Sequence, residues 1–165
     1  MSLLLARRPI TDGDLEFLYR VYASTRTEEL APVPWTDAQK EGFLRMQFNA
    51  QHSHYQQHYK DSEFSILSSS GTDVGRLYVH RGPTDIRVVD VALLPEFRGH
   101  GWGTALLRGL MAEATATRTV SVHVERNNPA LRLYARLGFT VVTEGPVYLL
   151  MHWRPPETLP RTTHD

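Results

Sequence analysis

The stretch IRVVDVALLPEFRGHGWGTALLRGLMAEATA, residues 86–116, decides the fold. Its first part is almost unbroken apolar sequence: Ile86, Val88, Val89, Val91, Ala92, Leu93 and Leu94. Such a run predicts a strand covered on both faces. Pro95-Glu96 stops it, and Arg98-Gly99-His100-Gly101-Trp102-Gly103 follows. Leu106, Leu107, Leu110 and Met111 then recur at helical spacing, so the order is strand, glycine loop, helix. Glycines leave backbone N–H groups uncovered, and a helix start adds unpaired donors and the positive end of its dipole. That combination suits a phosphate or a pyrophosphate.

Spacing separates the loops that do this job. A P-loop requires Gly-Lys followed by Ser or Thr, and no Lys stands here. A dinucleotide-type G-x-G-x-x-G fails at Thr104 when counted from Gly99 and at Leu106 when counted from Gly101. What remains is R-x-x-G-x-G, formed by Arg98, Gly101 and Gly103.

Composition narrows the classes. At 165 residues the chain fits one domain with a sizeable core, expected over residues 1–154. The Pro- and Thr-rich residues 155–165 have the composition of a disordered tail. The formal net charge is +0 with no long basic block, which argues against nucleic-acid binding. Cysteine is absent, which excludes disulfides, thiolate metal sites and an acyl-cysteine intermediate. Leu3–Leu5 followed by Arg7-Arg8 is not a signal-peptide layout, and no apolar run approaches a membrane span. The expectation is a cytoplasmic protein with no membrane contact.

In chain order, Leu3–Arg8 predicts an edge strand. Thr11-Asp12-Gly13-Asp14 resembles a capping box with Asp in place of Glu, opening a helix with Leu15, Leu18, Tyr19 and Tyr22 on one face. Residues 25–34 read as a break. Thr36-Asp37 then starts a long helix reaching about Tyr59, with Phe43, Met46 and Phe48 as its apolar positions. Residues 64–67 and 74–79 predict a hairpin around Ser-Ser-Ser-Gly-Thr-Asp. Val120, Val122 and Val124 alternate with Ser121 and His123, which makes another strand and sets His123 opposite the valines. Asn127-Asn128-Pro129 starts a helix that Gly138 closes, and residues 139–142 and 147–151 are the last strands.

The order β-α-α-β-β-β-α-β-α-β-β combines parallel-forcing and hairpin connections, so the sheet must be mixed. A second motif, N-x-x-A-x-x-L-Y-x-x-L-G-F, is carried by Asn127, Ala130, Leu133, Tyr134, Leu137, Gly138 and Phe139. With R-x-x-G-x-G at Arg98–Gly103, the chain resembles the GCN5-related N-acetyltransferase (GNAT) superfamily over about residues 3–153. The resemblance implies an α/β (α+β) fold, a mixed central sheet of seven strands flanked by four helices. It further implies an acetyl group moved from acetyl-CoA to a primary amine by direct attack. Alternatives are a longer acyl-CoA donor or a non-catalytic acyl-CoA-binding sensor.

Residue by residue, the resemblance has Val91, Ala92 and Leu93 run beside the pantetheine, with an N–H near Leu93 polarising the thioester carbonyl. Arg98, Gly99, His100, Gly101, Trp102, Gly103 and Thr104 would hold the pyrophosphate, and Asn127 and Asn128 belong to the coenzyme side. Tyr134 aligns with the family's general acid, since a phenol can protonate a thiolate and regain its proton from water. For the base two candidates stand open: His123, and Asp90 as an acid inside an apolar strand that must be paired, neutralised or functional. Glu28, Glu29 and Trp35 lie where the family binds its acceptor and hint at a cationic, partly apolar amine, either a small molecule or a peptide. The family's habit of pairing allows a homodimer. His52, His54 and His58 stand close on the long helix, but no H-E-x-x-H pattern or carboxylate completes a metal set, so no metal is expected.

Overall fold

The computed structural model describes residues 5–114 and 117–156. Its strands are β1 (Ala6–Pro9), β2 (Glu63–Ser69), β3 (Thr72–Arg81), β4 (Asp85–Leu93), β5 (Thr119–Glu125), β6 (Thr140–Glu144) and β7 (Tyr148–Trp153). Its α-helices are α1 (Leu15–Ser24), α2 (Thr27–Leu30), α3 (Asp37–His58), α4 (Trp102–Glu113) and α5 (Leu131–Arg136). The strands form one mixed sheet in the order β1-β2-β3-β4-β5-β7-β6. Among the described residues the chain forms two compact units. One runs to His80 and includes Val89–Ala105; the other holds Arg81–Val88 and resumes at Leu106.

In the first unit, α1 and α3 lay an apolar stripe on the sheet. Leu18, Tyr19, Tyr22, Leu44, Phe48, Ile66 and Tyr78 make one buried cluster, with Phe48 meeting the Tyr19 ring edge-on at 5.9 Å. On α3 the buried positions are Leu44 and Phe48, an i, i+4 pair, whereas Met46 is 62% exposed. The apolar face of this helix is therefore narrower than Phe43, Met46 and Phe48 suggested. Residues 25–34 are not wholly irregular either, because α2 supplies one helical turn. The expected first strand is observed as Ala6–Pro9, and Leu3 and Leu4 lie outside the described residues.

Local chemistry fixes the element ends. Thr36 Oγ accepts from the Gln39 N–H at 3.1 Å while Gln39 Oε1 accepts from the Thr36 N–H at 2.9 Å, a reciprocal cap for α3. Asp14 does the same work for the short helical turn Asp12–Asp14 that leads into α1, accepting from the Thr11 N–H at 2.8 Å. It also accepts two hydrogen bonds from Arg8, at 2.8 and 2.9 Å, and these chiefly hold its carboxyl at about 2, below the usual 3.8. The β2–β3 hairpin turns on Ser70 and Gly71, at φ 50° and 82°, so the pairing runs on to Ser69↔Thr72. The strands are thus longer than the serine-rich segment implied.

Two neighbouring residues of β3 fix its relation to the later half of β4. A Cβ on Gly75 would stand 2.2 Å from the Ala92 carbonyl oxygen, so only glycine fits. Next to it, Arg76 is 3% exposed and its Nη2 donates to Asp90 Oδ2 and, at 3.0 Å, to Gln51 Oε1. The expectation of a β4 covered on both faces is corrected here. Ile86 and Val88 are buried, but Val89–Leu93 are only half-buried. The parallel ladder with β5 ends at Val88↔Val122, and Val89–Leu93 lie past its last rung.

In the second unit β5 pairs with β7 from Val120↔Trp153 to Glu125↔Tyr148, and β7 pairs with β6. Val120, Val122 and Val124 are buried and His123 is exposed, as the alternation required. At the end of α5 the Gly138 N–H donates to Ala135 O and the Phe139 N–H to Tyr134 O, with Gly138 at φ 99°. That is the paired C-terminal closure for which glycine is favoured. Among the described residues no helix is long and apolar enough to cross a membrane.

Asp90→Asn leaves the Arg76 guanidinium buried without its counter-charge and should lower stability in urea denaturation by roughly 3 kcal/mol. The double change Arg76→Met/Asp90→Leu should recover most of that loss; a double variant as unstable as the single would show that the pair itself is net stabilising. Because the folded carboxyl of Asp14 lies below its unfolded value, its contribution is present above about pH 4 and lost as pH falls towards 2. An Asp14→Asn variant should show a flatter stability profile in that window.

Candidate functional site

The glycine turn begins where β4 ends. Leu94 is buried and its N–H donates to Val74 O at 2.9 Å. Pro95–Phe97 then make one tight helical turn, closed by the Phe97 N–H to Leu94 O and the Arg98 N–H to Pro95 O. Arg98 Nε reaches back to Leu93 O at 3.0 Å, which ties the turn to the strand end. Gly99 and Gly101 have φ of 83° and 77°, and a Cβ at either would meet open space. These glycines are therefore required by backbone conformation, and they leave an uncovered concave backbone. The Ala105 N–H donates to Gly101 O at 3.0 Å, the first rung of α4. By helix geometry the amides of Trp102, Gly103 and Thr104 precede that rung and have no partner within the helix. A cradle of unpaired donors at a positive dipole end fits a pyrophosphate. Beside it His100 stacks on Trp102 at 5.1 Å, with Phe97 at 6.3 Å on the same indole.

Upstream of the turn in the same unit, Val91, Ala92 and Leu93 are half-buried. Asp90 is engaged by Arg76, so its carboxylate already has a cationic partner. Arg76 itself escaped the sequence reading, although a lone Arg within the apolar run Val74–Val79 is a signal of the same kind as Asp90. Near it His52 is partly buried; burial, then the charge of Arg76, pushes its imidazole below the usual range. His54 and His58 stack at 4.1 Å, and His58 Nδ1 donates to His54 O at 3.0 Å. Among the described residues no group of three His, Cys, Asp or Glu side chains is placed to hold a metal.

The acceptor candidates of this unit are exposed. Glu28 and Glu29 lie on α2, and Glu29 takes a hydrogen bond from Arg26 at 3.0 Å, which partly cancels its charge. Trp35 is 42% exposed and meets Phe43 edge-on at 5.2 Å.

In the second unit His123 stacks on Tyr148 at 4.7 Å and shares a cavity with Arg87, Thr143, Pro146 and Leu150. Arg87 is the second residue that sequence reasoning missed; its signal is a charge set between the buried Ile86 and Val88. Tyr134 is 3% exposed, its ring edge-on to Phe139 at 5.6 Å. Asn127 and Asn128 are exposed, and Asn128 Oδ1 accepts from the Ala130 N–H at 2.9 Å, turning the chain into α5.

Solved structures share this arrangement of elements. The PaiA N-acetyltransferase of Thermoplasma acidophilum, determined in complex with coenzyme A, superposes with a TM-score of 0.68 at 19% identity, over 94% of this chain and 100% of that one. An acetyltransferase from Thermus thermophilus gives 0.67 at 21% identity, again over 94% and 100%. The ribosomal-protein-S18-alanine N-acetyltransferase of Escherichia coli gives 0.61 at 17%, over 98% and 100%. Among curated proteins, the mycothiol acetyltransferase of Corynebacterium glutamicum is 36% identical over 94 residues, 54% of this chain. The chain spans 32% of the length of that relative. The sequence profile of the acetyltransferase (GNAT) family matches residues 22–139. With more than half of the chain matched and the fold shared, the protein belongs to the GNAT acetyltransferase family.

Proposed function

We propose that the protein moves an acetyl group from acetyl-CoA to a primary amine by direct attack. The observation that carries this reading is the turn Arg98–Thr104, with Gly99 and Gly101 left-handed and the α4 amides following, in a chain of the GNAT family. The donor's pyrophosphate is held by the turn, and its thioester lies along Val91–Leu93, where an N–H near Leu93 faces the carbonyl oxygen. A fixed backbone donor stabilises the charge that grows on that oxygen as the amine attacks.

The remaining chemistry is three proton transfers: one off the ammonium before attack, one off the same nitrogen to water as the tetrahedral adduct collapses to the amide, and one onto the departing thiolate. An alkylamine with a pKa of about 10.4 is mostly charged at neutral pH and must lose a proton before it attacks. His123, exposed on β5, accepts it; Asp90 is the weaker candidate because Arg76 already occupies its carboxylate. Tyr134 gives its phenolic proton to the departing thiolate. Packing against Phe139 supports that role by restricting the ring to one orientation. The acceptor is a small amine or a peptide amine. The test is release of free CoA from acetyl-CoA across amino acids, polyamines, aminoglycosides and peptide N-termini. Binding of acetyl-CoA without turnover on any of them would favour a sensor instead.

Tyr134→Phe should lower kcat by about a hundredfold with the dissociation constant of acetyl-CoA little changed. Wild-type turnover in that variant removes Tyr134 from the mechanism.

A further inference from the structure

The second unit contains a cavity of about 340 Å³ that the transfer chemistry leaves largely unexplained. Arg87, His123, Thr143, Pro146, Tyr148 and Leu150 line it, and no carboxylate does. Arg87 is held from behind. Its Nε donates to Ser121 Oγ at 2.6 Å, and that hydroxyl donates to Asp85 Oδ2 at 2.5 Å. Thr119 Oγ donates to the other Asp85 oxygen at 2.6 Å, and Asp85 stands 3.9 Å from Arg87 Nε. The carboxylate is thus spent on two hydroxyls and on the inner edge of the guanidinium. Among the described residues the two outer nitrogens of Arg87 have no hydrogen-bond partner. A guanidinium anchored through Nε, with two outer nitrogens left for a ligand in the cavity that the residue lines, matches the geometry of a carboxylate or a phosphate. The His123–Tyr148 stack lines the same cavity and brings to it an aromatic ring beside an imidazole. Glu125 follows two residues after His123 on β5 but is not part of the lining.

From these contacts we infer that the cavity takes the anionic end of the acceptor, a carboxylate or phosphate gripped by Arg87, with its carbon skeleton laid on the Tyr148–His123 stack. This rests on the acetyltransferase reading above and names the substrate class: amines that also carry an oxyanion. It adds an oxyanion to the cationic, partly apolar acceptor suggested by Glu28, Glu29 and Trp35.

Two measurements test it on the full chain. In the first, each anionic amine is paired with its neutral counterpart: phenylalanine with phenethylamine, and phosphoethanolamine with ethanolamine. The anionic partner should have the higher kcat/KM, and whether the first or the second pair separates more tells carboxylate from phosphate. Arg87→Leu should raise KM for the favoured anionic amine about tenfold or more, leave the neutral one unchanged and leave KM for acetyl-CoA unchanged. Arg87→Lys should recover part of the loss. Equal kcat/KM within both pairs, or an equal effect of Arg87→Leu on both partners, overturns the proposal. In the second, benzoate and inorganic phosphate are titrated against the wild-type protein while the ring signals of His123 and Tyr148 are followed by NMR. Saturable shifts with either anion support the site, and no shift with either overturns it. If no amine is acetylated, the acetyltransferase reading fails, while the titration still decides the anion site.

Discussion

The close passage of β3 against the end of β4 is the constraint on which the rest depends. With no side chain at Gly75, the Ala92 carbonyl comes to where a Cβ would otherwise sit. One residue on, Arg76 clasps Asp90 and Gln51, binding β4 to both β3 and α3. Steric permission and electrostatic attachment therefore act on the same few residues. They fix the backbone of Val91–Leu93, and the Arg98 hydrogen bond to Leu93 carries that order into the glycine turn. A strand end held this firmly can present backbone donors to a ligand without reorganising first, which is what electrostatic stabilisation of a developing oxyanion demands.

Features set by near neighbours in the chain were legible in the sequence. The glycine turn, the helix start at Thr36, the alternation that exposes His123 and the closure at Gly138 each depend on residues within five positions of one another. Features set by distant neighbours were not. Which face of α3 is apolar depends on α1, and the polar sequence of α3 hides a stripe as narrow as Leu44 and Phe48. Likewise β4 reads as fully covered because its residues are apolar, whereas the extent of its ladder with β5 decides that Val89–Leu93 are half-open. For the candidate site, Asp90 stood out as a charge among apolar residues, but its partner Arg76 is fourteen positions earlier and only strand pairing joins them.

The two halves of the reaction draw on different kinds of residue. In the proposed reaction, backbone atoms, glycines and a helix start would serve the donor, and the spacing of those glycines made the family readable. Side chains on β4, β5, β6 and β7 would serve the acceptor. No spacing rule links Arg87 to Tyr148, which is why the acceptor chemistry had to be read from the cavity and not from a motif.

One of the two edge strands of the sheet, β6, carries a further consequence. All five of its residues are exposed, Val141 and Val142 among them, and its register against β7 slips between Val141 and Thr143. A straight, apolar border strand is a template on which other chains add and from which fibres grow. The slip interrupts the outward row of amides and carbonyls after two residues, so an incoming strand finds no continuous ladder to extend. A slip of this kind is one of the devices by which backbone geometry, and not surface charge, keeps a border strand from pairing with another chain.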